Sequence, residues 1–147
     1  MQTLDHDYVE ALIARLEAIP QDAKPLWGAM TRDTMAAHLA QAVRLSMGRP
    51  TPLPDNSTWF GRRVVGPLII NGILPMPKNV KSPMPAMDAA GKADIETFHA
   101  LLEEYLTLVQ ADELKPAPHP YFGTIGVDGW AKLHVVHFEH HMKQFGQ

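Results

Sequence analysis

Apolar side chains recur every three to four residues in four segments of the chain, which is the spacing of one face of an α-helix. The first predicted helix runs from about Asp5 to Ile19. Asp5 is its expected N-cap, because a short polar side chain can accept a hydrogen bond from a free backbone amide. The apolar face of this helix consists of Val9, Leu12, Leu16 and Ile19.

The second predicted helix begins at Thr31, whose hydroxyl can cap the first turn. It stops at Gly48 and Pro50, since glycine favours a helix end and proline cannot continue a helix. One histidine belongs to its otherwise mostly apolar inward stripe, which consists of Met35, His38, Ala42 and Leu45.

The third predicted helix lies within about Ala89 to Ala111, and the fourth runs from near Asp128, an expected N-cap, to about Phe145. The stripe of the third helix is Ile95, Phe98, Leu102, Tyr105 and Val109. The stripe of the fourth helix is Trp130, His134, His137, His141 and Gln144. The last helix therefore carries several imidazoles on the face expected to point inward.

The connection between the second and third helices contains about forty residues rich in Pro and Gly, which is long for a compact domain. Such a length has a purpose if the two helices run parallel, because the chain must then return along the whole bundle. The pattern therefore predicts an all-α, up-down-down-up four-helix bundle that forms a single domain over residues 1–147. We expect a short helix capped by Ser57 within this crossover, and we expect the apolar run Val64 to Leu74 to pack over its own bundle.

Composition excludes several classes of protein. The net charge is −3 with acids and bases scattered, so no basic face for nucleic acid is expected. The longest apolar run is too short for a bilayer, and the first residues lack a secretion signal, so a cytoplasmic protein without membrane contact is expected. The chain has no cysteine, so any thiol in its chemistry must come from another molecule.

Histidine is the unusual component, with eight residues, four of them between positions 134 and 141. His137 and His141 are four apart and therefore share one helix face, with Cβ atoms ~5–6 Å apart. His38 lies ~10 Å into the second helix, at 1.5 Å per residue, and His141 lies a similar distance before the end of the fourth. If these helices are antiparallel, the three rings meet at one height, which predicts a divalent-metal site formed by His38, His137 and His141.

Three neutral imidazoles leave at least one coordination position open, as in catalytic metal sites. Nitrogen ligands suit Zn, Ni, Fe or Cu better than Mg or Ca. The other histidines are weaker candidates. We interpret His134 as a core residue or a donor to a ligand, His140 as exposed, His99 as a weak candidate for the pocket wall, and His119 as structural.

These residues resemble the DinB/YfiT-like superfamily of metal-binding four-helix bundles, which has one histidine on its second helix and a His-x-x-x-His pair on its fourth. The matching segments are Met35-Ala-Ala-His38-Leu39 and His137-Phe-Glu-His-His141-Met-Lys-Gln144. A small branch without an assigned function is the most similar, through Trp27-Gly-Ala-Met30-Thr31, His119-Pro-Tyr-Phe122-Gly123 and the final Gln144-Phe-Gly146.

The resemblance implies an up-down-down-up bundle, a homodimer, and bound Zn or Ni. It also implies a metal-dependent enzyme that activates a low-molecular-weight thiol such as bacillithiol or mycothiol, hence a thiol S-transferase. If the open metal position activates water instead of a thiol, the enzyme is a hydrolase. The partner would then be a small-molecule ligand or thiol. The alternatives left open are a non-catalytic, metal-stabilised binding or dimerisation module, and an interaction protein that uses the crossover segment.

Overall fold

The computed structural model describes residues 1–49, 54–78 and 94–147, and these form helices and connecting segments. The described residues contain no β-strand, only an isolated bridge between His119 and Gly123. The helical elements are α1 (His6–Ala18), α2 (Arg32–Ser46), a π-helical segment (Gly61–Val65) that continues into α3 (Gly66–Ile70), α4 (Ile95–Gln110) and α5 (Gly126–Gln144). The all-helical class predicted from the sequence is confirmed. The start of the predicted third helix at Ala89 and Pro50, the predicted stop of the second helix, lie outside the described residues.

Two helix starts follow the capping chemistry expected from the sequence. Asp5 accepts a hydrogen bond from the backbone amide of Tyr8 at 2.9 Å. Thr31 and Thr34 cap each other, since each hydroxyl accepts from the other residue's amide, at 3.1 and 2.8 Å. A further cap, Asp94 at α4, accepts from the amide of Thr97. These bonds satisfy amides that have no partner inside the helix.

Two expected caps were wrong. Helix α5 begins at Gly126, before Asp128, and its N-cap residue Ile125 makes no side-chain bond. Asp128 instead lies in the first turn, where a carboxylate interacts favourably with the positive end of the helix dipole. In the crossover, Thr58 rather than Ser57 accepts the hydrogen bond from the amide of Gly61.

The four long helices bury a common core, and α3 adds a smaller one together with α2 and α5. In this smaller core Ile69 and Ile70 pack with Trp130 and Leu133, and Leu45 of α2 completes it. The apolar run Val64 to Leu74 thus packs partly over its own bundle, while its end at Ile73 and Leu74 is exposed. The largest buried apolar side chains of the common core are Leu12, Leu16, Ile19, Met35, Leu39, Phe98, Leu102, Tyr105, Phe138 and Met142.

Contacts between α2 and α5 fix the height of one helix against the other. Ahead of α2, the amide of Leu26 donates to the carbonyl of Gln144, the last residue of α5, at 2.7 Å. At the end of α2, Ser46 contacts His134, which lies nearly three turns before Gln144 in α5. The middle of α2, which carries His38, therefore lies beside the fourth and fifth turns of α5.

Glu139 fixes the rotation of α5 about its own axis. Its carboxylate accepts hydrogen bonds from the hydroxyl of Tyr8 at 2.9 Å and from both terminal nitrogens of Arg15 at 2.8 and 3.1 Å. Burial raises the pKa of Glu139, but these bonds outweigh it and hold the pKa below its usual value. Because residues two apart point to nearly opposite sides of a helix, anchoring Glu139 on α1 directs His137 and His141 towards α2.

None of the described helices combines the length and the apolar character that crossing a bilayer requires.

Candidate metal centre

Three imidazole nitrogens from two helices meet at one point inside the protein. The Nε2 atom of His137 lies 2.9 Å from Nε2 of His38 and 3.1 Å from Nε2 of His141. The ligand atoms of the three residues all lie within 4.8 Å of one another. The structure therefore brings together the three histidines that the sequence singled out.

The spacing of these nitrogens fits a single metal ion. With metal–nitrogen bonds of ~2.0–2.1 Å, nitrogen atoms ~2.9–3.4 Å apart subtend ~90–110° at the metal, the range from octahedral to tetrahedral coordination. The two distances from His137 lie inside this range. Two of the three nitrogen pairs thus have a spacing that one ion can bridge, and all three ligand atoms lie within 4.8 Å of one another. A set of three histidines leaves at least one coordination position open.

The side chain of Gln144 determines which nitrogen of His141 carries the proton. The amide nitrogen of Gln144 donates to the backbone carbonyl of Trp27 at 2.9 Å, which leaves Oε1 of Gln144 as an acceptor towards His141. His141 therefore donates from Nδ1 to this oxygen, at 2.7 Å. Its Nε2 atom then presents a lone pair to the shared point, as a metal ligand must.

Burial keeps all three rings neutral at pH 7. It lowers the pKa of His38 to about 4, with a smaller effect from His140, and the pKa of His141 to about 3, with a smaller effect from His38. The pKa of His137 is well below its ordinary value for the same reason, followed by repulsion from His38. Neutral imidazole is the form that binds metals.

The protons of the three rings cannot satisfy both contacts between them. Because His141 commits its proton to Gln144, its Nε2 atom can only accept. A proton on Nε2 of His137 can point at His141 or at His38, but not at both. A cation at the centre would interact with all three lone pairs at once, whereas hydrogen bonds satisfy only one of the two contacts.

His134 is a core residue. It is 1% exposed, and its ring stacks on Phe138. The hydroxyl of Ser46 donates to the carbonyl of Val43 at 2.7 Å, so it accepts from Nε2 of His134 at 2.8 Å. Burial, followed by repulsion from His119, lowers the pKa of His134 to about 3.

His99 and His140 differ from their sequence-based interpretations. His99 lies on the surface between α1 and α4, where its Nε2 contacts Glu10 at 2.7 Å, and it takes no part in the pocket wall. His140 is half-buried rather than exposed, and its ring packs edge-on against Trp27 at 5.6 Å between centroids. His140 is thus part of the wall beside the three converging rings.

A cavity of about 510 Å³ opens beside the three histidines and extends along α5. Its wall includes His141 and also Trp130, which is eleven residues earlier and so ~16 Å away along the helix axis. The crossover contributes Val65, Ile69 and Met76 to the same wall. The candidate metal position therefore lies against a space large enough for a small-molecule ligand.

His119 lines the same cavity, whereas the sequence predicted only a structural role for it. Its Nδ1 accepts hydrogen bonds from the backbone amides of Tyr121 and Phe122, both at 3.1 Å, so the proton lies on Nε2. A turn closed by two backbone bonds between His119 and Gly123, at 2.8 and 2.9 Å, holds this geometry. Burial lowers the pKa of His119 to about 4, so the ring is a neutral donor at pH 7.

The comparison with known families gives a single assignment. A family model described as "Protein of unknown function (DUF1569)" matches residues 1–147. The chain belongs to this family. No curated protein and no solved structure matches it. The DUF1569 description names no activity.

Sequence reasoning found the three histidines but missed most of the cavity wall. Spacing on a helix indicates which side chains share a face, whereas Val65 and Ile69 approach α5 only through the path of the crossover. Trp27 had a visible signal, since its Trp-Gly pair belongs to the motif that carried the family resemblance. That motif gave no indication that the carbonyl of Trp27 orients Gln144.

Proposed function

We propose that this DUF1569 protein binds one divalent transition-metal ion through Nε2 of His38, His137 and His141 and uses it in catalysis on a small molecule. The observation that carries the proposal is the convergence of three neutral imidazoles, one of them oriented by Gln144, at the wall of a cavity. The donor set supports Zn or Ni, because both accept all-nitrogen ligation.

The position of the cavity favours a catalytic over a purely structural ion. A structural site is closed by four protein ligands, whereas a catalytic site keeps a position open for water or substrate. The cluster contains three histidines among the described residues, and it forms part of the cavity wall. When bound, such an ion would polarise a ligand or hold a thiol or water in its deprotonated form.

His140 is the side chain that we propose as the proton acceptor in this chemistry. Its ring lies 5.1 Å from that of His141, and it lines the cavity. Burial, followed by repulsion from Lys78 and Lys143, lowers its pKa, so the ring is neutral and can accept a proton at pH 7. No carboxylate lines the cavity within the described ranges, which leaves an imidazole as the available base.

The reaction class that we propose is S-transfer from an external low-molecular-weight thiol, with hydrolysis as the related reaction. The support is the resemblance to DinB/YfiT-like proteins together with the absence of cysteine from the chain. Incubating metal-loaded protein with electrophiles and with glutathione, bacillithiol or mycothiol tests it. Consumption of the electrophile that needs both the thiol and the metal is expected.

We infer that the four long helices run up-down-down-up. The start of α2 contacts the end of α5, and its end contacts an earlier turn, as in an antiparallel pair. Between α1 and α4, His6 contacts Glu103 while Glu10 contacts His99, so contacts there also run in opposite order. Both relationships are those of a bundle whose second and third long helices are parallel.

A homodimer is the oligomeric state that we propose, following the resemblance. Large apolar side chains are exposed just before the π-helical segment and just after α3. The exposed fractions are 67% for Trp59, 59% for Phe60 and 68% for Ile73, so a second copy of the chain has apolar surface to cover. Light scattering on the purified protein is expected to give twice the mass of the chain. A monomer at all concentrations would contradict this.

Elemental analysis of purified variants tests the metal site directly. The protein is expected to contain one equivalent of metal, and His137→Ala is expected to contain almost none. His99→Ala is the matched control, because it removes a histidine from the surface between α1 and α4. Full metal content in His137→Ala would overturn the proposal.

The non-catalytic alternative predicts a different pair of results. If the ion only stabilises the fold, its removal lowers the melting temperature by many degrees, and no electrophile is turned over with any thiol or with water. Catalysis that disappears with the metal, in a chain that remains folded, supports the enzyme.

A further inference from the structure

The wall of the cavity beside the three histidines is mostly apolar. Most of its surface is aliphatic, aromatic or backbone, and its polar side chains are mainly neutral imidazoles. Away from the histidine cluster the apolar part of the wall consists of Ala42, Leu45, Val65, Ile69, Met76, Phe122, Trp130 and Leu133. Such a wall attracts ligands by removing apolar surface from water.

Fixed charge is missing from this wall. No Asp, Glu, Lys or Arg lines the cavity in the part of the chain that the structure describes. The amide of Gln144 already bonds to His141 and Trp27, so it has little capacity left for a ligand. A charged group that entered the apolar region would lose its hydration without gaining a counter-ion, which is strongly unfavourable.

We propose that the cavity binds an uncharged, largely apolar small molecule that presents one metal-coordinating head to His38, His137 and His141. The inference rests on the proposed metal function and names the substrate class of that site. The apolar body of the ligand lies along α5, between the histidines and Trp130. The apolar ligand is then the electrophile of the proposed reaction, and a charged thiol such as glutathione or bacillithiol would place its charged groups outside the apolar part of the cavity.

His119 supplies a polar contact in the same cavity. Both of its ring positions are defined, because Nδ1 accepts two backbone amides and Nε2 carries the proton. Nε2 has no hydrogen-bond partner among the described residues. A ligand can therefore place a neutral acceptor, such as a carbonyl or hydroxyl oxygen, against this ring. Such a hydrogen bond would orient the ligand in the cavity, and it requires no charge on the ligand.

Three hydroxamates with the same metal-binding head test the inference on metal-loaded protein by calorimetry. Acetohydroxamate carries no tail, octanohydroxamate an apolar tail, and suberic acid monohydroxamate a tail that ends in a carboxylate. Each buried methylene contributes about three- to fourfold in affinity, so the six additional methylenes of octanohydroxamate are expected to tighten its binding of order 10³-fold relative to acetohydroxamate. The carboxylate-ended tail is expected to lose most of this gain. Equal affinities for the first two, or tightest binding of the third, would overturn the inference.

Val64 and Val65 offer a matched pair of substitutions. Both are half-buried neighbours in the π-helical segment, but only Val65 lines the cavity. Val65→Glu is expected to abolish the advantage of the apolar tail while keeping the affinity for acetohydroxamate, and Val64→Glu is expected to keep both. Should Val65→Glu fail to fold, Val65→Thr, which preserves the shape, is expected to reduce the tail advantage several-fold. Equal effects of the substitutions at positions 64 and 65 would show that the apolar tail does not bind in this cavity.

An uncharged fluorophore separates this inference from the metal proposal. N-phenyl-1-naphthylamine needs no metal, so metal-free protein is expected to enhance its fluorescence and Val65→Glu to lose the enhancement. If no metal binds but the enhancement depends on Val65, the ligand class stands and the metal function fails. If metal and acetohydroxamate bind but the apolar tail adds nothing, the metal function stands and the ligand class fails.

Discussion

The amide oxygen of Gln144 accepts a hydrogen bond from Nδ1 of His141 at 2.7 Å, one helical turn apart on α5. This contact decides the protonation of the ring, because Gln144 is itself held by the carbonyl of Trp27. A loop ahead of α2 thus determines which nitrogen of a histidine on α5 is available to a metal. The two contacts connect the start of α2 to the candidate site through a single side chain.

Replacement of Gln144 by Leu should weaken metal binding without removing a ligand. The ring of His141 would lose its orientation and its fixed tautomer, and loss of such a supporting bond typically lowers metal affinity ~10–100-fold. Competition with a chromophoric chelator measures the change. Gln110→Leu, at an exposed position at the end of α4, is the control and should leave the affinity unchanged. Identical affinities of the two variants would show that Gln144 does not support the site.

Replacement of Tyr8 by Phe should destabilise the fold more than it affects the metal. The hydroxyl donates to the carboxylate of Glu139, and hydrogen bonds to charged groups contribute ~1.5–3 kcal/mol to the free energy of unfolding. Urea denaturation measures the loss. Tyr121→Phe, on a more exposed tyrosine, should cost far less. A loss at Tyr8 no larger than that at Tyr121 would contradict the role of Glu139 as an anchor.

Acid should destabilise the protein through His134. Burial lowers the pKa of this ring to about 3. In the unfolded chain a histidine titrates near ~6.5, so between these values the unfolded state binds the additional proton. The stabilisation is therefore complete above pH 6.5 and is lost progressively as the pH falls towards 3. The measurement is the melting temperature as a function of pH in excess chelator, which removes any effect of metal release.

The matched pair for this prediction is His134→Leu and His6→Leu. His134→Leu should show a shallower fall of melting temperature between pH 6.5 and 4.5 than the unmodified protein. His6→Leu removes an exposed histidine from the first turn of α1 and should keep the original slope. An unchanged slope in His134→Leu would refute the assignment of acid sensitivity to this ring.

Gly123→Ala should be more harmful than Gly126→Ala, although both glycines have positive φ, at 72° and 71°. The left-handed conformation costs any L-residue ~1–2 kcal/mol, and both variants incur this cost. A Cβ at position 123 would in addition lie 2.8 Å from the side chain of Arg62, whereas nothing lies within 4 Å at position 126. Chemical denaturation compares the two. Equal losses would mean that the turn around His119 tolerates the displacement of Arg62.

Local rules explain why the sequence predicted so much of the helical structure. Asp5 and Thr31 cap their helices because a side-chain oxygen needs only amides two or three residues away. Asp128 is not a cap, because the helix already begins at Gly126 and places Asp128 in its first turn, and the N-cap residue Ile125 has no side-chain oxygen. Short-range hydrogen bonding thus explains the two correct caps, whereas this helix starts without a side-chain cap.

The sequence by itself determined that His137 and His141 share a face, because helical periodicity fixes the direction of side chains four residues apart. It also indicated that His38 belongs to an inward stripe. Only the tertiary structure decided that Nε2 of His137 lies about 3 Å from Nε2 of both His38 and His141. The distance to His38 depends on how α2 and α5 are rotated and aligned against each other. That alignment is set by contacts far apart in the chain, among them those of Glu139 with α1 and of Gln144 with Trp27, and helical periodicity carries no information about them.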